Sequence, residues 1–148
     1  MTLTDVIQKD LIKVPLIGTT KHAIIEELVT TLTQTVKLDN KDEILQAVLE
    51  REELGSTGLA DGIAIPHAKT KAVDHLYLVI GVSENPVEFE ALDGEPCSYF
   101  FLVLAPLNES SAHIEILSSI ARTTASASFK RLLKASKNAD EVYSLFFD

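Results

Sequence analysis

The chain has 148 residues, a net charge of −9, 46% hydrophobic and 24% charged residues, which is the profile of one globular domain rather than of a disordered chain. The acidic balance argues against a phosphate-backbone binder, which needs a basic patch. The single cysteine, Cys97, excludes an internal disulfide and a multi-cysteine metal site and fits a reducing, cytosolic compartment.

The start, Met1-Thr2-Leu3-Thr4-Asp5, has neither a basic segment nor a long apolar run, so no signal peptide is expected. Thr20 is placed to cap a helix in which Ile24, Leu28 and Leu32 recur every fourth residue, with Ile25 and Val29 beside them. Asn40, with Glu43 three residues later, reads as a capping box for a second helix through Ile44, Leu45, Val48 and Leu49 to about Leu54, with Gly55 beyond its end. The period then changes. Gly62 to Ile65 reads as a short strand stopped by Pro66, and Leu76 to Val82 as a buried strand. Val87, Phe89 and Ala91 alternate with glutamates, as in a half-exposed strand, before the turn signal Asp93-Gly94. Tyr99 to Ala105 is a second buried strand; the apolar run reaches Leu107 across Pro106, far short of the roughly 20 residues that span a bilayer. Then come a helix with His113, Leu117 and Ile120 on one face, a Ser/Thr/Ala-rich helix end at 123–128, and a helix over 129–135 whose Lys130, Arg131 and Lys134 read as a solvated face. Asn138 with Glu141 opens a terminal helix. Helices at both ends with strands between predict an α+β chain, a mixed sheet covered by helices.

The stretch from Arg51 to Ala68 carries the chemistry: a cation at a helix end, a Ser56-Thr57 pair flanked by glycines, and a short strand delivering His67 at its exit. Arg51 offers an always-charged donor fork suited to a phosphoryl group. Hydroxyls and N–H groups of the loop suit anionic oxygens, and a neutral imidazole at His67 suits a transient carrier. Each residue has a plainer reading: a structural histidine, an exposed helix cation, ordinary loop residues. His113 reads either as a core histidine or as a second imidazole beside His67, whose proximity keeps one of the two rings neutral. A two-His metal site is a rival without an obvious third ligand. His22 and His75 look peripheral, and Cys97 reads as a small buried hydrophobe.

The block Gly55-Ser56-Thr57-Gly58, four residues, then Ile63-Ala64-Ile65-Pro66-His67-Ala68, resembles the enzyme IIA signature of the bacterial phosphoenolpyruvate-dependent sugar phosphotransferase system, of the fructose/mannitol type that includes the nitrogen-regulatory enzyme IIA. Arg51-Glu52, Phe89 to Pro96, and Ala105-Pro106 with His113 match as well; Ala68 stands where many members have glycine. The resemblance implies a three-layer α/β/α sandwich over 1–148 as a single domain. It implies that His67 accepts a phosphoryl group, on the ring nitrogen distal to the backbone, from the phosphohistidine of HPr or of its nitrogen-branch counterpart. His67 then passes the group to an enzyme IIB cysteine or, in a regulator, changes what the chain binds. Arg51 and His113 fall on the family's active-site arginine and second histidine, expected to stabilise the phosphoryl group or orient the nucleophile, with Ser56 and Thr57 as loop donors. No metal or organic cofactor, nucleic acid or membrane insertion is expected.

Overall fold

The computed structural model describes residues 2–109 and 111–147; Met1, Ser110 and Asp148 lie outside the described residues. The opening residues carry no periodic pattern, yet they form α1 (Leu3–Val6), a 3-10 turn (Lys9–Leu11) and β1 (Ile12–Leu16). β1 pairs with one neighbour only, and Pro15, which has no N–H to donate, is tolerated on such an edge. α2 (Lys21–Thr35) and α3 (Lys41–Glu53) follow, then β2 (Ile63–Ala64), β3 (His67–Lys69), β4 (Tyr77–Val87), β5 (Cys97–Ala105), α4 (Ala112–Ala125), α5 (Ala127–Ala135) and α6 (Ala139–Leu145).

The sheet order is β1-β4-β5-β2, with β3 also on β5. β1 runs parallel to β4, β4 antiparallel to β5, and β2 and β3 parallel to β5, so the sheet is mixed. Successive side chains of a strand point to opposite faces, and β5 sorts accordingly. Phe100, Leu102 and Leu104 pack with Ile24, Leu28, Ile44 and Val48 of α2 and α3. Phe101 and Val103 pack with Ile116, Ile120, Leu133 and Val142 of α4, α5 and α6. Two cores on one sheet make the three-layer α/β/α sandwich.

The caps of α2 and α6 follow the sequence: Thr20 Oγ1 accepts the Ala23 N–H at 3.1 Å and Asn138 Oδ1 the Glu141 N–H at 2.9 Å. Asn40 departs from it. It precedes α3, but its side chain makes no cap bond; Nδ2 donates to the Ala72 carbonyl at 2.8 Å instead, a tertiary bond across 32 positions. The alternation at 87–91 also has another origin. Val87, Phe89 and Ala91 are buried, but pairing of β4 with β5 ends at Val87, and Glu90 sits at φ 55°, outside the strand region. A further departure is at Pro66, which interrupts β2 without ending the pairing. The Pro66 carbonyl accepts the Val103 N–H at 3.0 Å, and the chain returns to β5 as β3. His67 therefore opens a strand rather than leaving one. On α4 the buried line is Ala112, Ile116, Ile120 and Thr124, with His113 and Leu117 half-buried beside it.

Candidate functional site

His67 lies opposite Val103 in parallel register. In-register neighbours of a parallel pair share a face, so His67 is on the side of the sheet that α4 covers. Its Nδ1 is 2.8 Å from the Ile65 carbonyl oxygen. That oxygen can only accept, so Nδ1 carries the proton and Nε2 keeps its lone pair. Burial pushes the His67 imidazole below the ordinary histidine range, and the Arg51 charge adds to this; the Ile65 bond and Glu52 oppose both. The result at neutral pH is an uncharged ring with its free lone pair on the distal nitrogen.

Arg51 comes from the other layer. It sits in the last turn of α3, where a cation complements the helix dipole, and its Nη1 donates to the Gly55 carbonyl at 2.9 Å. The loop that follows is held from inside. Thr57 is buried; its hydroxyl donates to Glu52 Oε2, and its N–H donates to Glu52 Oε1 at 3.1 Å. Ser56 Oγ donates to the Phe89 carbonyl at 2.7 Å and accepts the Gly58 N–H at 3.0 Å. The fold thus brings Ser56 and Thr57 into the loop after Arg51, but spends both hydroxyl protons on protein acceptors. Gly58 must be glycine for space: a Cβ there would lie 2.8 Å from Ala91 Cα, and its carbonyl accepts the Leu92 N–H at 3.2 Å.

His113 is the second residue of α4 and half-buried. Burial, Lys69 and His67, in that order, hold its imidazole below the ordinary range, against a smaller opposing effect of Glu109. His67 and Lys69 thus oppose the charging of His113, and Arg51 opposes that of His67. His22 and His75 are exposed elsewhere. Cys97 is fully buried, and burial lifts its thiol to about 11, so it stays a protonated, inert thiol. Among the described residues no group of His, Cys, Asp and Glu is arranged to hold a metal ion, and no helix is long and apolar enough to cross a membrane.

Two residues that sequence reasoning did not single out matter here. Glu52 is buried and takes Lys21 as well, with Nζ 2.9 Å from Oε1. Its signal was available: a carboxylate in the last turn of a helix opposes the dipole and persists only with partners. Lys69 stands two residues from His67 on β3, hence on the same face.

The profile of the family described as "Phosphoenolpyruvate-dependent sugar phosphotransferase system, EIIA 2" matches residues 5–148. The chain belongs to this EIIA 2 family. A Bacillus subtilis "PTS system fructose-specific EIIABC component" is 32% identical over 98% of the chain, which spans only 23% of that relative. A "Nitrogen regulatory protein" of Bradyrhizobium diazoefficiens is 30% identical over 98% of the chain and 94% of its own length. The crystal structure of the nitrogen regulatory protein IIA-Ntr from Neisseria meningitidis superposes with a TM-score of 0.88 at 29% identity, covering 95% of this chain and 96% of that one. The EIIA 2 chain is thus similar both to a segment of a PTS system fructose-specific component and to nitrogen regulatory proteins over nearly their full length.

Proposed function

We propose that this chain is a phosphohistidine carrier: His67 Nε2 takes a phosphoryl group from the phosphohistidine of a small donor protein such as HPr or its nitrogen-branch counterpart, and releases it to an enzyme IIB cysteine. The observation that carries this is the His67–Ile65 hydrogen bond, which leaves Nε2 bare within reach of the Arg51 charge. In the transfer the donor's P–N bond breaks, its electron pair returns to the donor ring, and the Nε2 lone pair forms the new P–N bond. The His67 ring then carries positive charge, which the Ile65 carbonyl stabilises through Nδ1–H. Catalysis is positioning and charge stabilisation, and Arg51 supplies a fork for the phosphoryl oxygens. Ser56 and Thr57 act by shaping the loop that follows Arg51.

A protein donor and acceptor fit the surroundings. Leu54, beyond the end of α3, is 84% exposed and Leu92, bonded to the Gly58 carbonyl, 82% exposed; Ile114, beside His113, is exposed too. Apolar side chains exposed after Arg51, at Gly58 and beside His113 suit a protein face.

The second reading is a regulator in which phosphorylation of His67 adds about two negative charges and changes the partner. The likeness to nitrogen regulatory proteins over nearly their whole length favours it. Both readings share the first step, tested by incubation with phosphoenolpyruvate, enzyme I and HPr followed by intact mass. An acid-labile gain of one phosphate, lost in His67→Ala, is expected; no gain, or a gain that survives in His67→Ala, sinks both. Transfer to one member of a panel of enzyme IIB proteins then separates transport from regulation.

A further inference from the structure

We propose that Lys21 and Glu52 are positioning residues of the carrier site: paired beneath the loop after Arg51, they hold residues 55–58, and with them the carbonyl on which Arg51 rests, in the geometry that transfer needs. They act through the loop and not on the reacting atoms. The proposal rests on reading the chain as a phosphohistidine carrier and adds to that site a pair from outside it.

Each of the two charges is misplaced on its own helix. Lys21 is the first residue of α2, at the positive end of the helix dipole, and Glu52 stands in the last turn of α3, at the negative end. One bond answers both: Lys21 Nζ lies 2.9 Å from Glu52 Oε1. Glu52 is buried and Lys21 half-buried. A buried ion pair is a poor source of stability, because desolvation offsets the attraction and apolar side chains of the same volume commonly do as well. What apolar side chains cannot do is accept the Thr57 hydroxyl and the Thr57 N–H, as the two Glu52 oxygens do.

Lys21 extends the hold to the other wall of the loop. Its Nζ lies 4.9 Å from the centre of the Phe89 ring and 3.3 Å from Glu90 Oε1. The Phe89 carbonyl accepts the Ser56 hydroxyl at 2.7 Å, and the Leu92 N–H donates to the Gly58 carbonyl at 3.2 Å. Residues 56–58 are thus bonded to the end of α3 on one side and to 89–92 on the other, and the Lys21 ammonium touches both. Gly55, between that clamp and α3, supplies the carbonyl that accepts from Arg51 Nη1 at 2.9 Å. The Glu52 charge also reaches His67, where with the Ile65 bond it opposes the lowering of the imidazole by burial and by Arg51. A clamp of this kind places reacting groups in advance, and a displacement of about 1 Å costs on the order of 100-fold in rate.

The test measures phosphoryl uptake from phosphorylated HPr at varied donor concentration, with rates taken per chain that is folded by circular dichroism. Lys21→Met keeps the stem and leaves both Thr57 bonds to Glu52; Glu52→Gln keeps the size and one acceptor oxygen without the charge. Each is expected to lower the maximal uptake rate about 10- to 100-fold. The half-saturating donor concentration is expected to stay within about threefold, because the pair lies beneath the loop and not on its outer face. Lys21→Arg, which keeps the charge, is expected to stay within about threefold of the wild-type rate. The double variant Lys21→Met, Glu52→Gln is expected to be no slower than the slower single one, as for residues that act as a unit. A wild-type maximal rate in Lys21→Met, a loss confined to the half-saturating concentration, Lys21→Arg as slow as Lys21→Met, or losses that multiply in the double variant overturn the proposal. Lys21→Met and Lys21→Arg decide alone if Glu52→Gln does not fold. A wild-type chain that takes up no phosphoryl group removes the carrier reading and this proposal with it; an active wild type whose variants lose only unfolding midpoint removes this proposal alone.

Discussion

The Ile65 carbonyl oxygen lies 2.8 Å from His67 Nδ1, and this bond across two residues decides which ring nitrogen keeps its lone pair. Pro66 makes it possible. With no N–H and a fixed φ, it breaks the run of β2 and turns the chain so that the residue after it folds back on the carbonyl before it. Because the acceptor is backbone, the bond needs no neighbouring side chain as its acceptor.

On the proposed carrier reading, Arg51 acts through its charge and its fork. Arg51→Ala is expected to slow phosphoryl uptake by about 100-fold or more, and Arg51→Lys, which keeps the charge but loses the planar fork, to fall between. Stopped-flow or quenched mass measurement with phosphorylated HPr reads this. Uptake unchanged in Arg51→Ala would mean that the guanidinium serves the loop through Gly55 alone.

Glu52 is the interior anchor of the loop after Arg51. Glu52→Ala leaves the buried Thr57 hydroxyl and N–H without their acceptor and leaves Lys21 with Glu90 alone, and is expected to cost about 2 kcal/mol or more. Thr57→Val, which removes one donor and keeps the shape, is expected to leave the Glu52 carboxylate one bond short and cost about 1–2 kcal/mol. Urea unfolding followed by circular dichroism measures both.

Gly58→Ala forces a methyl group to 2.8 Å from Ala91 Cα. Backbone must move on one side or the other, with a loss of about 1–3 kcal/mol, and the shift carries to the segment of Leu92. A midpoint within experimental error of wild type would show that the loop and the segment at 89–92 are not locked together.

The pH dependence follows from the depressed imidazoles of His67 and His113. On the proposed carrier reading only neutral His67 can accept a phosphoryl group, so uptake is expected to hold as pH falls through about 6.5 and to fail at a lower midpoint. For stability the unfolded chain binds protons first. The contribution of these rings is whole above about 6.5, where neither state is protonated, and is lost as pH falls toward the depressed native values. The double variant His67→Gln, His113→Gln is expected to lose less stability between pH ~7 and ~5.5 than wild type does, read by urea unfolding across that range.

Much was legible in the chain itself. Ile24, Leu28 and Leu32 fixed the buried face of α2, and the runs at 76–82 and 99–105 fixed the central strands, because helical period and continuous apolar runs are local signals of burial. Arg51, His67 and His113 stand out by residue type and order. What stayed hidden depends on partners distant in sequence. β1 shows itself only once β4 is beside it. Asn40 has the spacing of a cap, but a carbonyl 32 positions away claims its amide. Phe89 and Ala91 are buried by loop packing rather than by a strand. Ser56 and Thr57 have the hydroxyls a phosphoryl group needs, yet Phe89 and Glu52 take the protons. The sequence by itself determined the types of the reacting groups and the layers that carry them. Tertiary structure alone decided which nitrogen of His67 is bare, because a tautomer is set by the acceptor that the fold places beside the ring.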